Sequence, residues 1–461
     1  MANGHIFHPT LLREYDIRGV VGDTLKNLDA RIIGKVFGSR IIKSGGKSVA
    51  IGRDGRHSSP LLEEHLADGL IAAGLTVYRI GLCATPQLYF AVHHLKSDGG
   101  VMVTGSHNPP EYNGFKMMLG TAPFYGQDIK DMALLASTEN YTSGTGAEVQ
   151  IDVLDDYLKR LIYDLEIDRE LSIVWDCGNG VAGPVVKNLC QTIPGKHEIL
   201  FSDVDGDFPN HHPDPTIDDN LETLLTTVGE KNADLGIAFD GDGDRIGVVD
   251  NNKNIIWGDQ LLAILAEDVL RHDPGATIIA DVKASQTLFD RISQLGGIPL
   301  MWKTGHSLIK NKMRETRAPL AGEMSGHIFF KDKYFGFDDA IYAALRLIEL
   351  VSKRREKLSD IRSNLPYAVN TPELRFPCDE TLKFSIIDKV KSIVGNWSDH
   401  KVSDIDGVRV TTENGWWLIR ASNTQAVLVA RCEANSEKNL KLLKDQLKNV
   451  LKKVNIRHSD F

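Results

Sequence analysis

The same order of elements, strand, helix, strand, helix, strand, is predicted three times along this chain. Short apolar runs that end in Gly, Asp or Ser loops alternate with stretches of helical period, which favours β-α-β units around mostly parallel sheets. The copies span residues 48–106, 172–240 and 277–323, and the third contains strands predicted over 299–305 and 318–323. We interpret them as three structurally similar modules, although their lengths differ and they share no strong sequence identity.

The third strand of each module runs into an unusual loop. The loops read TGSHNPPEYNG at 104–114, DGDGDR at 240–245 and GEMSGH at 322–327. In open parallel α/β sheets, ligands bind at the carboxyl ends of strands. We therefore expect all three loops to face one cleft.

The chain changes character after the third module. A long helix predicted over 338–358 closes that module, and residues 363–380, with three prolines and little periodicity, predict a linker. Alternating strands and a Lys-rich amphipathic helix over 439–453 then predict a smaller domain. We expect this last domain to move as a lid about residues 366–372, since hinges usually lie at the ends of elements.

These observations predict an α/β protein with three similar mixed α/β domains of mostly parallel sheet, plus a smaller C-terminal α+β domain, around a central cleft. A chain of 461 residues is too long for one ordinary core. The predicted division into domains is at residues 1–149, 150–254, 255–366 and 367–461.

Composition excludes several classes of protein. Lys and Arg number 53 against 62 Asp and Glu, so there is no global basic field for nucleic acid. The five cysteines form no C-x-x-C pair, which argues against a disulfide framework or a zinc ribbon. No apolar run approaches the ~18 residues that span a bilayer, and the first residues do not resemble a signal peptide. We expect a cytoplasmic enzyme with no nucleic-acid or membrane partner, in which local cationic clusters bind anionic ligands.

Three carboxylates in five residues, Asp240, Asp242 and Asp244, directly follow an apolar strand. They repel one another unless a hard divalent cation neutralises them, and the alternating glycines let the loop curl around one centre. An EF-hand is excluded, because Arg245 occupies the required glycine position and Asn251 the position of the bidentate Glu. Three protein carboxylates leave room for a phosphate oxygen, an arrangement that Mg²⁺ favours.

Two other loops carry groups suited to a sugar phosphate. The GEMSGH loop offers an acid, a hydroxyl and an imidazole, which suits vicinal sugar hydroxyls. The RASNT segment at 420–424 follows the apolar strand GWWLI, and its guanidinium, hydroxyls, amide and backbone N–H groups can cradle a phosphate. Ser106 alone is a weak signal, but a phosphoserine beside a divalent metal would be a competent phosphoryl donor.

Together these segments resemble the α-D-phosphohexomutase family, in its bacterial phosphomannomutase/phosphoglucomutase branch. The matching motifs occur in order along essentially the whole chain: YDIRG at 15–19, TGSHNP at 104–109, DGDGDR at 240–245, GEMSGH at 322–327 and RASNT at 420–424. The resemblance implies one Mg²⁺ per chain, held by Asp240, Asp242, Asp244 and a phosphate on Ser106. After RASNT the family usually continues with a small or acidic residue and Pro, whereas Gln425 and Ala426 follow here.

The resemblance also implies the roles of the four domains and of individual residues. Residues 1–149 would form the phosphoserine domain, 150–254 the metal-binding domain, 255–366 the sugar-recognition domain and 367–461 the phosphate-binding lid domain. The implied catalytic set is Ser106, His107, Lys116, Arg18, Arg245 and His327, with His327 or Lys116 handling the proton. The implied substrate-binding set is Tyr15, Lys283, His306, Glu323, Ser325, Arg420, Ser422, Asn423 and Thr424.

The implied reaction converts hexose 1-phosphate and hexose 6-phosphate into each other. Phosphoserine donates to the free hydroxyl, and the resulting hexose 1,6-bisphosphate, which is also the activator, reorients and returns its other phosphate. We expect small sugar phosphates as partners and a monomer or weak dimer. The nearest competing function is that of a phosphoglucosamine mutase, although that branch typically has Gln where Met324 stands. A non-catalytic sugar-phosphate sensor and a metal-dependent phosphatase are also compatible with parts of this pattern.

Overall fold

The computed structural model describes residues 4–395, 397, 400–423 and 425–456. Among these residues, no helix is both long enough and apolar enough to cross a membrane.

The first module consists of β1 Ile17–Val20, α1 Asn27–Lys43, β2 Ser48–Arg53, α2 Ser59–Ala73, β3 Thr76–Leu82, α3 Thr85–Leu95, β4 Gly99–Val103, β5 Tyr112–Leu119, β6 Ala122–Pro123, α4 Gln127–Ser137 and β7 Ala147–Gln150. Its seven-stranded sheet has the order β1-β5-β4-β2-β3-β7, with β6 also paired to β5. Strands β2, β3, β4 and β7 are parallel, whereas β5 is antiparallel to β4 and β1. Every residue of β4 is buried, as expected for a central strand between two layers of helices.

The second module consists of α5 Leu154–Ile162, β8 Leu171–Asp176, α6 Ala182–Leu189, β9 Gly195–Leu200, a 3-10 turn Asp218–Leu221, α7 Glu222–Lys231, β10 Leu235–Phe239, β11 Ile246–Asp250 and β12 Ile255–Ile256. Its five-stranded sheet has the order β12-β11-β10-β8-β9, in which β10, β8 and β9 are parallel. The fully buried strand β10 ends at Phe239, so the acidic loop, residues 240–245, begins at its carboxyl end.

The third module consists of α8 Gly258–His272, β13 Thr277–Asp281, α9 Gln286–Gln294, β14 Ile298–Trp302, α10 His306–Thr316, β15 Leu320–Gly322, β16 Ile328–Phe330, α11 Ala340–Ser352 and α12 Leu358–Ser363. Its four-stranded sheet has the order β14-β13-β15-β16, with β13 parallel to both neighbours. The strand predicted over 299–305 ends earlier, at Trp302, because residues 303–305 turn into α10 and Gly305 is its N-cap.

The C-terminal domain consists of β17 Val369–Asn370, β18 Leu374–Pro377, α13 Lys383–Val394, β19 Lys401–Ser403, β20 Val408–Thr412, β21 Gly415–Ala421, β22 Val427–Ala434 and α14 Glu437–Lys453. Its six-stranded antiparallel sheet has the order β17-β22-β21-β20-β19, with β18 also paired to β22. This domain has a hydrophobic core of its own, whereas the largest core of the molecule runs through the first three modules. The predicted fold class is confirmed.

Two predicted elements are wrong. The helix predicted over 338–358 ends at Ser352, because 353–356 are all charged and offer no apolar face, and Arg354 instead turns to Glu267 at 2.9 Å. The segment 363–380 is not an irregular linker throughout, since β17 and β18 within it pair antiparallel with β22. The edge of β22 offers unpaired N–H and C=O groups, and β17 and β18 form strands by hydrogen-bonding to them.

Candidate active site

The three modules and the C-terminal domain surround one cleft, a cavity of about 960 Å³. It is lined by fourteen of the residues predicted from the sequence: Tyr15, Arg18, Ser106, His107, Lys116, Arg245, Lys283, His306, Glu323, Ser325, His327, Arg420, Ser422 and Asn423. Thr424 lies outside the described residues. Asp240, Asp242 and Asp244 lie beneath the wall of the cleft, with no exposed surface.

Ser106 is the third residue of the loop that follows β4, the serine loop (residues 104–111), and is almost completely buried. Its backbone has φ +51°, in the left-handed region that is unfavourable for a residue with a side chain. Its Oγ donates a 2.8 Å hydrogen bond to Asp240 Oδ2. Gly241 permits this approach, since a Cβ there would lie 2.6 Å from the Ser106 carbonyl oxygen. The serine of the first module and the acidic loop of the second are therefore in direct contact.

The acidic loop after β10 gathers three carboxylates around one point. One oxygen from each of Asp240, Asp242 and Asp244 lies within 4.8 Å of the others. Gly243, at φ +75°, makes the sharp turn that brings them together. Burial, together with the charges of Asp242 and Asp244, raises the pKa of Asp240 well above its usual range.

Lys116, on β5, is the cation nearest to these carboxylates. Its Nζ lies 2.7 Å from Asp242 Oδ2 and 2.5 Å from Asp244 Oδ2. Burial alone would lower the pKa of Lys116, but the three carboxylates raise it above its ordinary value. Burial alone would raise the pKa of Asp242, but the Lys116 ammonium holds it far below the ordinary value.

The residues present fit a divalent metal ion. Asp242 Oδ1 and Asp244 Oδ1 are buried and accept no hydrogen bond from the described residues. Buried carboxylate oxygens without partners are costly unless a cation binds them. With Asp240 they form an all-oxygen donor set, which hard cations such as Mg²⁺ prefer.

Arg18 and His107 lie beside Ser106. Arg18 donates to Asn108 Oδ1 at 2.6 Å and to Asp16 Oδ2 at 2.5 Å, so it is held on the serine loop. His107 Nδ1 lies 2.7 Å from Asp214 Oδ2. Burial and the nearby Arg245 lower the pKa of His107 to about 4, so its imidazole is neutral at pH 7.

The GEMSGH loop brings Glu323, Ser325 and His327 to the cleft. Glu323 Oε1 accepts a 2.5 Å hydrogen bond from the N–H of Gly305, which fixes the start of α10. His327 Nε2 accepts from Arg245 Nε at 3.1 Å, linking the second and third modules.

His306, at the start of α10, stacks on His327 with ring centroids 5.6 Å apart. The fully buried Asp338 lies 3.4 Å from His306 Nδ1 and 3.2 Å from His327 Nδ1. Burial and Lys310, whose Nζ is 2.8 Å from Asp338, lower the pKa of His306. The stack is thus an imidazole pair supported by one carboxylate.

The C-terminal domain supplies Arg420, Ser422 and Asn423 to the far side of the cleft. Arg420 Nε donates to Asp406 Oδ2 at 2.9 Å, and Ser422 Oγ accepts from the N–H of Gln425 at 3.1 Å. The unusual Gln425 therefore closes the loop, and its Oε1 accepts from Arg375.

Contacts also cross the mouth of the cleft. The Tyr15 hydroxyl bonds Thr304 O at 2.6 Å and the Asn423 side chain. Lys283 Nζ lies 3.1 Å from Glu373 Oε2. The first module, the third module and the C-terminal domain thus meet around the substrate-sized cavity.

Sequence reasoning missed several residues that support the site: Asp54, Arg56, Asp214, Asp338, Asp406 and Arg431. Asp54 and Arg56 belong to the RDGR segment at the carboxyl end of a predicted strand, and this position in itself indicates a place near a ligand site. The others support side chains from distant parts of the chain, and no spacing in the sequence indicates such pairs.

Models of one protein family match the chain in order. The phosphoglucomutase/phosphomannomutase alpha/beta/alpha domains I, II and III match residues 9–143, 155–254 and 257–368, and the C-terminal domain of the same family matches residues 373–450. The chain therefore belongs to the phosphoglucomutase/phosphomannomutase family, the α-D-phosphohexomutases. The resemblance found in the sequence motifs is confirmed.

Individual relatives are similar over nearly the whole chain. A phosphomannomutase/phosphoglucomutase of Pseudomonas putida is 46% identical over 445 residues, 96% of each protein. A phosphoglucomutase of Neisseria meningitidis serogroup A is 41% identical over 444 residues, again 96% of each. A solved structure of a phosphoglucomutase/phosphomannomutase family protein from Burkholderia thailandensis has a TM-score of 0.92 and 44% identity, covering 98% of both chains.

Proposed function

We propose that this chain is an isomerase that interconverts hexose 1-phosphates and hexose 6-phosphates, with mannose and glucose as the sugars, through a phosphoserine at Ser106 and a hexose 1,6-bisphosphate. The contact that carries the proposal is the 2.8 Å hydrogen bond from Ser106 Oγ to Asp240 Oδ2. A metal-dependent phosphoryl transfer needs its nucleophile and its metal ligands together in this way.

In the first half-reaction, the bond between phosphorus and Ser106 Oγ breaks as a bond to the free sugar hydroxyl forms. The metal ion, when bound by Asp240, Asp242, Asp244 and the Ser106 phosphate, would polarise the phosphoryl oxygens. Arg18, Lys116 and Arg245 line the same end of the cleft and offset charge on the transferring group.

The opposite end of the cleft binds the phosphate that does not react. Arg420, Ser422 and Asn423 form its cradle, and Lys283 adds a second cation. The bisphosphate exchanges its two phosphates between these ends, so the second half-reaction reuses the same groups and restores the phosphate on Ser106.

The proton of the attacking hydroxyl has two candidate acceptors, His327 and Lys116. His327 accepts from Arg245 through Nε2, whereas Lys116 is engaged by two carboxylates. Comparing His327→Asn with Lys116→Met in single-turnover transfer from phosphorylated Ser106 assigns the role, because loss of the base slows the chemical step itself.

Glu323 and Ser325 are placed to bind the sugar hydroxyls that both orientations share, and this favours tolerance at the 2-position. Met324 stands between them, and its Sδ lies 3.0 Å from Arg431 Nη1. A thioether held in this way offers no strong acceptor to a 2-ammonium group, which favours hexose over glucosamine phosphates.

Incubation with a sugar 1-phosphate and catalytic glucose 1,6-bisphosphate tests the proposal. Mannose, glucose and glucosamine 1-phosphates should be compared in parallel, with products identified by NMR. A mutase yields the 6-phosphate, a phosphatase yields inorganic phosphate, and a sensor leaves the substrate unchanged.

Ser106→Ala tests the nucleophile. The variant should fold normally and lose nearly all turnover and all phosphate incorporation, because no other described hydroxyl occupies the position above Asp240. Ser385→Ala, on the exposed side of α13, is the matched control and should behave as the wild type. Intact-mass analysis of active protein in the presence of bisphosphate should show one phosphate, and peptide mapping should locate it at Ser106.

A further inference from the structure

The RDGR segment at the end of β2 has no role in the proposed reaction, yet it contains two almost completely buried charged side chains. Asp54 is 2% exposed and Arg56 1% exposed. Neither side chain lines the cleft. A buried charge is costly unless it is paired and fully hydrogen-bonded, so the partners of these two side chains indicate what they do.

The Arg56 guanidinium binds the backbone of the serine loop. Its Nη2 donates to the carbonyl oxygens of Ser106 at 2.7 Å and Asn108 at 2.6 Å. Its Nη1 donates to those of Pro109 at 2.5 Å and Tyr112 at 3.1 Å. One rigid planar group thus binds four backbone carbonyls between Ser106 and Tyr112. Among the cationic side chains, only arginine has the planar fork of donors that this requires.

Asp54 completes the support from the other side. Its Oδ2 accepts from the N–H of Gly105 at 3.0 Å, from Thr104 Oγ1 at 2.9 Å and from Arg56 Nε at 3.1 Å. Its Oδ1 accepts from Ser59 Oγ at 2.5 Å. The carboxylate therefore orients the guanidinium and holds the residue before Ser106 at the same time.

Two features of the loop are explained by this support. Ser106 adopts φ +51°, a conformation that is unfavourable for a non-glycine residue and persists only where the surroundings impose it. Gly105 lies flat against the guanidinium, since a Cβ there would be 2.4 Å from both Cζ and Nε of Arg56. The strained residue is the one whose Oγ faces Asp240.

We propose that the Asp54–Arg56 pair is the positioning device of the nucleophile: it imposes the left-handed backbone of Ser106 and thereby aims Oγ at the metal-binding loop. The proposal depends on the proposed function, in which Ser106 carries the phosphoryl group. Neither residue touches the substrate, so both act through Ser106.

The test measures how fast glucose 1,6-bisphosphate phosphorylates Ser106, by rapid quench and intact mass, beside steady-state kcat and KM. Arg56→Lys keeps the charge but cannot bind four carbonyls, and a displacement of about 1 Å costs on the order of 100-fold in rate. We expect phosphorylation and kcat to fall by roughly that factor, whereas KM changes less than about threefold because the sugar and distal phosphate sites are intact. Asp54→Asn should produce a smaller fall of the same kind.

Arg79→Lys is the matched control. Arg79 belongs to the same module and is likewise paired with a buried carboxylate, Glu63, at 3.2 Å, but it makes no contact with the serine loop. A purely stabilising role predicts that Arg56→Lys and Arg79→Lys both lower the melting temperature and leave the rate of the folded protein unchanged. That result would overturn the proposal.

Gly105→Ala gives a second route that keeps both buried charges. The added methyl group must displace the guanidinium, so this variant should reproduce the slow phosphorylation of Arg56→Lys. In the double variant the two effects should not add, because both act on the same contact. Full additivity contradicts the proposal.

The wild-type protein separates the two hypotheses. If it takes up no phosphate on Ser106, the proposed function is wrong and the positioning role falls with it. If the wild type is labelled and Arg56→Lys is labelled equally fast, only the positioning role is wrong.

Discussion

Lys116 and Asp242 form a fully buried ion pair, with Nζ 2.7 Å from Oδ2, that joins β5 of the first module to the acidic loop of the second. Only 4% of the lysine side chain is exposed, and none of the aspartate side chain. Breaking a buried pair by removing one partner leaves an uncompensated charge. The first module therefore supplies both Ser106 and the cation that balances the carboxylates of the acidic loop.

Lys116→Met should strengthen Mg²⁺ binding while it reduces turnover. A like charge at ~4 Å costs more than 1 kcal/mol even at a high effective dielectric constant, so removing the ammonium should lower the Kd for Mg²⁺ at least about tenfold. Titration calorimetry at pH 8 measures this directly. Lys130→Met, at an exposed position of the same module, should leave the Kd unchanged. Equal or weaker binding in Lys116→Met would show that the lysine does not compete with the ion.

Gly241→Ala should separate the serine loop from the acidic loop. A Cβ at Gly241 would lie 2.6 Å from the Ser106 carbonyl oxygen, a backbone atom that cannot move alone. We expect kcat to fall on the order of 100-fold, as for other displacements of about 1 Å, with little change in KM. In Gly229→Ala the added methyl meets only the flexible Lys253 side chain, so this control should retain normal rates. A Gly241→Ala variant with wild-type kcat would contradict the close approach.

The strand-end loops of the site could be predicted from the sequence because their chemistry is local. Asp240, Asp242 and Asp244 directly follow an apolar strand, and the carboxyl end of a parallel strand is where ligands bind. The sequence cannot show which distant partners complete the site. Asp214 lies beside His107 because two modules pack against each other, and no pattern in the sequence indicates such a contact.

The same limit explains the errors in the fold. Residues 369–370 and 374–377 have little alternation of their own, and they become strands because β22 offers an edge for pairing. Their partners in β22 come fifty or more residues later in the chain, beyond the reach of a local pattern. The helix predicted over 338–358 failed for a local reason instead, since its charged residues 353–356 face solvent and other charges.

Asp339→Asn should stabilise the protein increasingly as the pH rises. Asp339 is fully buried and accepts from the hydroxyls of Tyr157 at 2.9 Å and Tyr334 at 2.8 Å, and burial raises its pKa to about 6. The unfolded chain releases this proton near pH 4. Between pH 4 and pH 6 the folded protein therefore holds a proton on Asp339 that the unfolded chain has released. The free energy of unfolding falls as the pH rises through this range and levels off above about 6.

The difference in melting temperature between Asp339→Asn and wild type should grow from pH 4.5 to pH 7 and then stay constant. Above pH 6 the wild type carries a penalty on the order of 3 kcal/mol at this site. Asp290→Asn, on the exposed side of α9, should show no such trend. A difference independent of pH would mean that Asp339 is ionised in the folded protein throughout.

Arg409→Met should loosen the C-terminal domain. Arg409 Nη1 donates to the carbonyl oxygens of Val282 at 2.7 Å and Ala284 at 2.9 Å, so it holds this domain on the third module. Its guanidinium also lies 3.7 Å from the ring centroid of Trp416. On the opposite side, the Tyr15 hydroxyl binds the Asn423 side chain. If this domain moves as a lid about residues 366–372, the movement must break at least one of these two contacts.

Solution scattering measures the effect. Without ligand, Arg409→Met should have a larger radius of gyration than the wild type, and glucose 1,6-bisphosphate should reduce it more, because binding through Arg420 draws the loosened domain back. Lys441→Met, on the exposed face of α14, should match the wild type in both states. If Arg409→Met and wild type give the same radius with and without bisphosphate, the contacts to Val282 and Ala284 do not restrain the domain.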